Sequence, residues 1–303
     1  VCYAYLAAVA TPSVAELGNS QWFTRDWTLQ ELVAPRTVIF LDQEWQEIGQ
    51  RDSHRTLLSS ITGISPYCLD GRCRSELGGV RAAERFSWAA ERQTSRREDR
   101  AYSLIGLFGI NVPLLYGEGD RAFRRLQRKI LKLSGDESIF LWDLPWSSDN
   151  VHGLLAESIS SFGSQSTERP GLDLTFSKIP GLTRPPYLVT NQGLQIHVPK
   201  DLAEKQEILL PLGCQYVQQN GARHAYAIRL ERISYEGRWA RIFYEDWSDR
   251  LPPLGVDVER VSASFGLFLV PVDWVWSRKA LAKRGSEIIF VMMNDLGTIE
   301  SSL

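Results

Sequence analysis

Several stretches of this 303-residue sequence have residue types and spacings that can carry chemistry. Gly117-Glu-Gly-Asp-Arg-Ala122 satisfies G-x-G-x-x-A, with an apolar stretch at 112–115 before it, a helical pattern after it and 139–142 as a returning strand. That layout suits a dinucleotide site. Against it, Glu118 and Asp120 set two carboxylates where a pyrophosphate needs backbone donors and positive charge. A tight turn whose acidic residues favour the start of the next helix accounts for the same residues better. Glu98-Asp99 is an adjacent carboxylate pair, but Arg96, Arg97 and Arg100 surround it and point to an ion-pair network holding helices together. Arg121, Arg125, Arg128 and Lys132 line one helical face, with Arg124 and Lys129 beside it. Residues 81–132 hold twelve Lys or Arg against six Asp or Glu, a local excess of +6. Such a face can bind RNA or anionic lipid, but a solvated surface opposite the buried Phe123 and Leu126 stripe accounts for it more simply.

Metal and nucleophile chemistry find little support. The four histidines, His54, His152, His197 and His224, lie far apart, and Cys68-x4-Cys73 lacks a second pair. No G-x-S-x-G elbow occurs. The four cysteines form no CxxC pair and are too sparse for a disulfide framework, so they read as reduced thiols in a cytoplasmic protein.

The bulk numbers describe a globular chain of two or three units, 44% hydrophobic and 23% charged. A net charge of -2 gives no global attraction to nucleic acid or anionic membrane. The longest apolar run, 265–276, is broken by Pro271 and Asp273 and is too short for a membrane span.

These features must be positioned by recognisable elements. Residues 1–9 carry no charge, make a poor signal peptide and read as a strand buried on both faces, as in a parallel sheet. The expectation is that upstream sheet residues are missing from this sequence. A helix over 27–34, stopped by Pro35, and a second buried strand at 37–41 complete a parallel crossover. A short helix follows at 52–64. Three amphipathic helices come next, carrying Val80, Ala83, Phe86 and Ala90, then Ala101, Leu104, Ile105 and Phe108, then Phe123, Leu126, Ile130 and Leu133 with Gly135 as C-cap. Residues 147–171, rich in Ser and Gly, read as a loop or linker. Beyond them, 187–198, 207–217, 225–233, 239–244, 265–270 and 287–292 favour strands, with Asn220-Gly221 as a type I′ hairpin signal. In 226–231 the alternation of Tyr226, Ile228 and Leu230 with Ala227, Arg229 and Glu231 predicts one covered face. The fold expected is α+β: a partial α/β layer over 1–60, a helical extension over 61–145 and an antiparallel sandwich or partial barrel over 146–303.

Three stretches carry a family resemblance. Ser20-Gln-Trp-Phe-Thr-Arg-Asp-Trp-Thr-Leu-Gln-Glu-Leu-Val-Ala-Pro35 resembles the closing signature of the fungal heterokaryon-incompatibility (HET) domain, W-F-x-R-x-W-T-L-Q-E-L. Thr94-Ser-Arg-Arg-Glu-Asp-Arg-Ala-Tyr102, then 104–108 and Val112-Pro-Leu-Leu-Tyr-Gly-Glu-Gly119, resemble the helical region that follows HET domains. Ala122-Phe123, Leu126-Gln127 and Ser138-Ile-Phe-Leu-Trp142 continue it, so the resemblance spans about the first half of the chain.

The resemblance implies a role in non-self recognition between fungal strains, ending in programmed cell death. The HET domain is similar to TIR domains, some of which cleave NAD at the nicotinamide bond with a carboxylate in a W-x-x-x-E helix. Trp27 and Glu31 have that spacing. This implies Glu31 as the catalytic carboxylate and Trp27 as an aromatic wall beside NAD, the substrate rather than a tightly held cofactor. A carboxylate near the ribose would stabilise the oxocarbenium-like transition state. Residue type and spacing alone favour a solvated or paired surface carboxylate for a Glu between Arg25 and Arg36, and it is the resemblance that raises the catalytic reading beside it. TIR-like nucleotide binding also draws on a first strand and a loop for which this chain has no residues, so activity is expected of the intact domain and not of this chain. The competing expectation is a non-enzymatic module that signals through self-association or protein partners, with no nucleic acid and no membrane span.

Overall fold

The computed structural model describes residues 1–10, 14–70, 79–142, 151–163, 177–179, 185, 187–217, 223–233, 238–242, 259–260, 267–271, 286–291 and 293. It is a mixed α+β chain that divides into two compact units, Val1–Ile130 with Glu157–Gly163 and Leu131–Ala156 with Ser164–Leu303.

In the first unit, β1 (Cys2–Tyr5) pairs in parallel with β2 (Val38–Leu41), in the register Cys2 with Val38 through Tyr5 with Leu41. This is the crossover expected from the sequence, and α1 (Thr28–Val33) lies between the two strands in the chain. A third strand, β3 (Glu47–Gln50), pairs antiparallel with β2 and was not evident from residue pattern, because Glu47, Gly49 and Gln50 leave only Ile48 to bury. Ala4, Val38 and Phe40 are buried on one face of this sheet. The other face carries Tyr3 and Tyr5, exposed by 65% and 39%, which corrects the expectation of a strand buried on both faces.

Helices α2 (Arg55–Thr62), α3 (Pro66–Leu69) and α4 (Ala82–Ser87) follow. The 101–108 stripe does not form one helix. It breaks into α5 (Asp99–Tyr102) and α6 (Ile105–Phe108). The hydrogen bonds show why: the Leu107 amide bonds the carbonyl of Leu104 at 2.9 Å, while the Ser103 carbonyl accepts the side chain of Gln30 from far along the chain. Helix α7 (Arg121–Leu133) forms where its stripe predicts, burying Phe123, Leu126 and Ile130, but Leu133, the last residue of the expected stripe, is exposed. Residues 159–163, within the expected linker, are packed instead: Phe162 meets Phe86 at 4.7 Å and Phe123 at 6.3 Å between ring centroids.

In the second unit, residues 139–142 form no strand. They belong to and follow a 3-10 turn, Glu137–Phe140, because Arg241 takes their carbonyls: its guanidinium donates to Phe140 O at 2.9 Å and Trp142 O at 3.2 Å. Strands β4 (Val151–His152), β5 (Ser177–Lys178), β6 (Leu188–Thr190), β7 (Gly193–Pro199), β8 (Glu207–Val217), β9 (Arg223–Arg232), β10 (Arg238–Ile242), β11 (Glu259–Arg260), β12 (Leu267–Pro271) and β13 (Ser286–Val291) make one connected sheet. A short helix, α8 (Lys200–Ala203), sits between β7 and β8. The path runs β11-β12-β9-β10-β13-β7-β6, with β8 also on β9, and the described strands close no barrel. All pairings are antiparallel except β10 with β13, which is parallel. β8 and β9 pair as expected for a hairpin, and the Asn220-Gly221 turn lies outside the described residues. The alternation in β9 does not leave one face wet: residues 225–230 are all buried, Arg229 included, and Arg229 is paired with Glu207.

Cys2 and Cys214 are free, but Cys68 is disulfide-bonded. This corrects the reading of four reduced thiols: sparse cysteines exclude a framework of bridges and not a single local bond. Among the described residues no helix is long and apolar enough to cross a membrane, and no group of His, Cys, Asp and Glu could hold a metal ion.

Candidate functional site

The element that carries Trp27 and Glu31 is only six residues long. A helix of that length does not persist in water, where roughly 12–15 residues are marginal. Its surroundings must hold it, and the sequence supplies an anchor at each point.

At the entry, Ser20 Oγ accepts the Trp22 amide at 3.3 Å and starts a 3-10 turn, Gln21–Thr24. Trp22 and Phe23 are buried, each packing its ring against Phe40 of β2, at 5.9 and 5.8 Å between centroids. Thr28 faces the carbonyls of Arg25, at 2.8 Å, and Trp22, and its hydroxyl accepts from Arg92 Nη1 at 3.1 Å. The same Arg92 nitrogen donates to Arg25 O at 2.8 Å, and Arg92 Nε donates to Trp88 O at 3.1 Å.

At the exit, Arg51 is fully buried and spreads its guanidinium over three carbonyls: Leu32 O at 2.7 Å, Pro35 O at 3.0 Å and Arg36 O at 2.9 Å. Helix C-termini leave carbonyls without partners and carry a partial negative charge, so a cation there satisfies both needs. Between these ends, Leu29, Leu32 and Val33 are buried, and Gln30 donates its amide to Ser103 O. Gly106 makes that contact possible, since a Cβ there would sit 2.6 Å from Gln30 Oε1.

What remains of the motif faces outward. Trp27, at the N-cap, is 39% exposed, and Glu31, one turn later, is exposed. At i and i+4 they share one helix face. The negative charge of Glu31 reaches the sheet: the Cys2 thiol is pushed up first by its partial burial and then by Glu31.

One residue escaped the sequence reading. Asp26, immediately before Trp27, is completely buried, and neither carboxylate oxygen accepts a hydrogen bond. Its nearest cation is Arg100, with Nε 3.9 Å from Oδ2. Burial raises its pKa to about 6, against the opposing pull of Arg100 and Arg92. Arg92 is in turn lowered to about 10 by burial. Only the aromatic flanks of Asp26 in the sequence, Trp22, Phe23 and Trp27, hint that it lies inside.

The G-x-G-x-x-A segment is not an open anion site. Glu98 Oε1 accepts the amides of Gly117 at 2.8 Å and Gly119 at 3.0 Å, so a carboxylate of the chain itself fills the nest. Its own backbone amide and those of Gly119 and Gly117 hold Glu98 below the ordinary carboxylate range. Asp99 accepts the Tyr116 hydroxyl at 2.9 Å. The expected ion-pair network around Glu98 and Asp99 is therefore corrected: their partners are backbone amides and a tyrosine. Glu118 pairs with Arg125 and accepts the Tyr102 hydroxyl at 2.8 Å, while Tyr102 Oη accepts the Leu115 amide at 2.8 Å. Residues 98–102 and 113–119 are thereby locked together.

No family model and no solved structure matches this chain. Among curated proteins, vegetative incompatibility protein HET-E-1 of Podospora anserina is 41% identical over 144 residues. The resemblance to fungal HET-type proteins holds. The match covers 44% of this chain and 10% of HET-E-1, so the chain spans about a tenth of that relative's length.

Proposed function

We propose that this chain is part of a heterokaryon-incompatibility protein acting in fungal non-self recognition and programmed cell death, with Glu31 as the carboxylate of a TIR-like NAD-cleaving site in the intact domain. The observation that carries the reading is the outward presentation of Trp27 and Glu31 on a helix fixed by Thr28, Gln30, Arg92 and Arg51. A short helix held at three points and bearing an exposed Trp and Glu on one face meets the demand for preorganisation that catalysis makes. In the reaction the N-glycosidic bond breaks and nicotinamide leaves with the bonding pair. Glu31 stabilises the positive charge that develops on the ribose, Trp27 walls the ring, and water adds to give ADP-ribose and a proton. The test is cell killing by the full-length protein: the account expects loss on Glu31→Gln with folding unchanged.

A non-enzymatic reading draws on a different observation. Tyr3 and Tyr5 stand on the exposed face of β1, and Trp45, between β2 and β3, stacks on Tyr5 at 4.7 Å and is 66% exposed. Exposed aromatics of this kind suit self-association or a protein partner. Killing that survives Glu31→Gln and is lost on Trp45→Ala would favour it.

A further inference from the structure

The loop between α6 and α7 departs from the usual economy of a surface. Leu114, Leu115 and Tyr116 are three consecutive large apolar residues, exposed by 53%, 52% and 49%. Their backbone is held from beneath. Tyr102 Oη accepts the Leu115 amide at 2.8 Å, Arg125 donates to Pro113 O at 2.7 Å, and Glu98 takes the amides of Gly117 and Gly119. Gly117 and Gly119 have φ of 98° and 57°, the left-handed region that lets the chain turn there. A loop fixed by this many side chains and showing its apolar residues to solvent is preordered for contact.

The charge around the tip is one-sided. Residues 96–130 hold eight Lys or Arg against four Asp or Glu. Each of the four acids has an internal partner: Glu98 the glycine amides, Asp99 the Tyr116 hydroxyl, Glu118 Arg125, and Asp120 Arg97 at 3.5 Å. Arg96 lies over the Tyr116 ring at 4.7 Å, Arg121 is exposed directly after the loop, and Arg124 follows within one turn. With side chains of on the order of 150–250 Å² each, the exposed apolar tip amounts to roughly 300 Å². A stable protein interface needs about 800 Å² per partner. A small exposed apolar loop flanked by arginines is short of that, but it matches a bilayer, which needs no complementary groove and offers anionic headgroups to the arginines.

We propose that the 113–121 loop is a peripheral membrane site, with Leu114 and Leu115 entering the acyl boundary and Arg96, Arg121 and Arg124 meeting anionic lipid headgroups. The test is sedimentation of the whole chain with vesicles of phosphatidylcholine alone and of phosphatidylcholine with about a third phosphatidylserine. Binding to the serine-containing vesicles is expected, weakened at least about tenfold by Leu114→Asp with Leu115→Asp, and by Arg121→Glu with Arg124→Glu. Leu114, Leu115 and Arg121 are exposed and Arg124 is half-buried, so circular dichroism checks that each variant folds. Inorganic phosphate at millimolar concentration should leave binding intact, which separates a lipid surface from a free-phosphate site. Binding to neither vesicle, binding unaltered by the leucine substitutions, or competition by phosphate would overturn the proposal. So would self-association of the chain that the leucine substitutions abolish, which would make a second copy the occupant.

Discussion

Gln30 donates its side-chain amide to the carbonyl oxygen of Ser103, seventy-three residues away, and so ties the helix bearing Glu31 to the junction between α5 and α6. The contact breaks one helix in two and pins another that is too short to stand alone. It is the point at which the W-T-L-Q-E-L segment and the A-Y-S-L segment become one structure.

Because a Cβ at Gly106 would sit 2.6 Å from Gln30 Oε1, Gly106→Ala should displace that side chain and destabilise the first unit by about 1 kcal/mol, the worth of the hydrogen bond to Ser103. Gln30→Ala combined with Gly106→Ala should recover part of that loss. Urea denaturation of the two variants measures it, and equal stability of Gly106→Ala and wild type would contradict the contact.

Arg51 satisfies three carbonyls at the end of α1 from a fully buried position. Arg51→Ala leaves them dry and should cost about 3 kcal/mol or more. Arg51→Lys should rescue little, since an ammonium group lacks the planar fork that spans Leu32, Pro35 and Arg36. Denaturation midpoints of the two variants decide this.

Asp26 makes a prediction of opposite sign. Its pKa is raised from an ordinary 3.8 to about 6. The folded protein therefore binds the proton more tightly than the unfolded chain, and the stability associated with it is present below the unfolded value and lost as pH rises from about 4 through 6. Two units correspond to about 3 kcal/mol. Asp26→Asn should thus stabilise the protein by about 1–3 kcal/mol at pH 7 and flatten its stability between pH 4 and 6. Melting across that range checks it. A residue that costs stability where it sits has its explanation in function, and its place next to Trp27 marks it for mutation alongside Glu31.

Glu98 behaves the other way. Its folded pKa lies below the ordinary value, so its contribution is present above that value and is lost as pH falls through the folded pKa. Glu98→Ala should lower the melting temperature at pH 7 and remove that acid dependence, whereas an unchanged melt would show that the Gly117 and Gly119 amides find partners without it.

Much of this was legible in the residues. The apolar runs at 1–9 and 37–41 gave the parallel pair, and the Phe123, Leu126 and Ile130 stripe gave α7, because burial on a strand or a helix imposes its period on the sequence. The β-branched runs located most strands of the second unit for the same reason. What stayed hidden depends on long-range contacts. No local pattern foretells that Gln30 reaches Ser103, that Glu98 occupies the nest of Gly117 and Gly119, or that Arg241 captures the carbonyls of Phe140 and Trp142. The burial of Asp26 and Arg229 went unread because charged residues are normally at the surface; Glu207 accounts for Arg229, whereas Asp26 has only Arg100 at 3.9 Å.

The central claim is that Glu31 is a catalytic carboxylate. The most direct measurement is NAD consumption by the full-length protein that carries this chain, comparing wild type with Glu31→Gln, with circular dichroism confirming that both are folded. The account predicts that NAD falls with wild type and that Glu31→Gln is slower by about a hundredfold or more. NAD left untouched by both proteins when concentrated or clustered, or consumed equally by both, would contradict it.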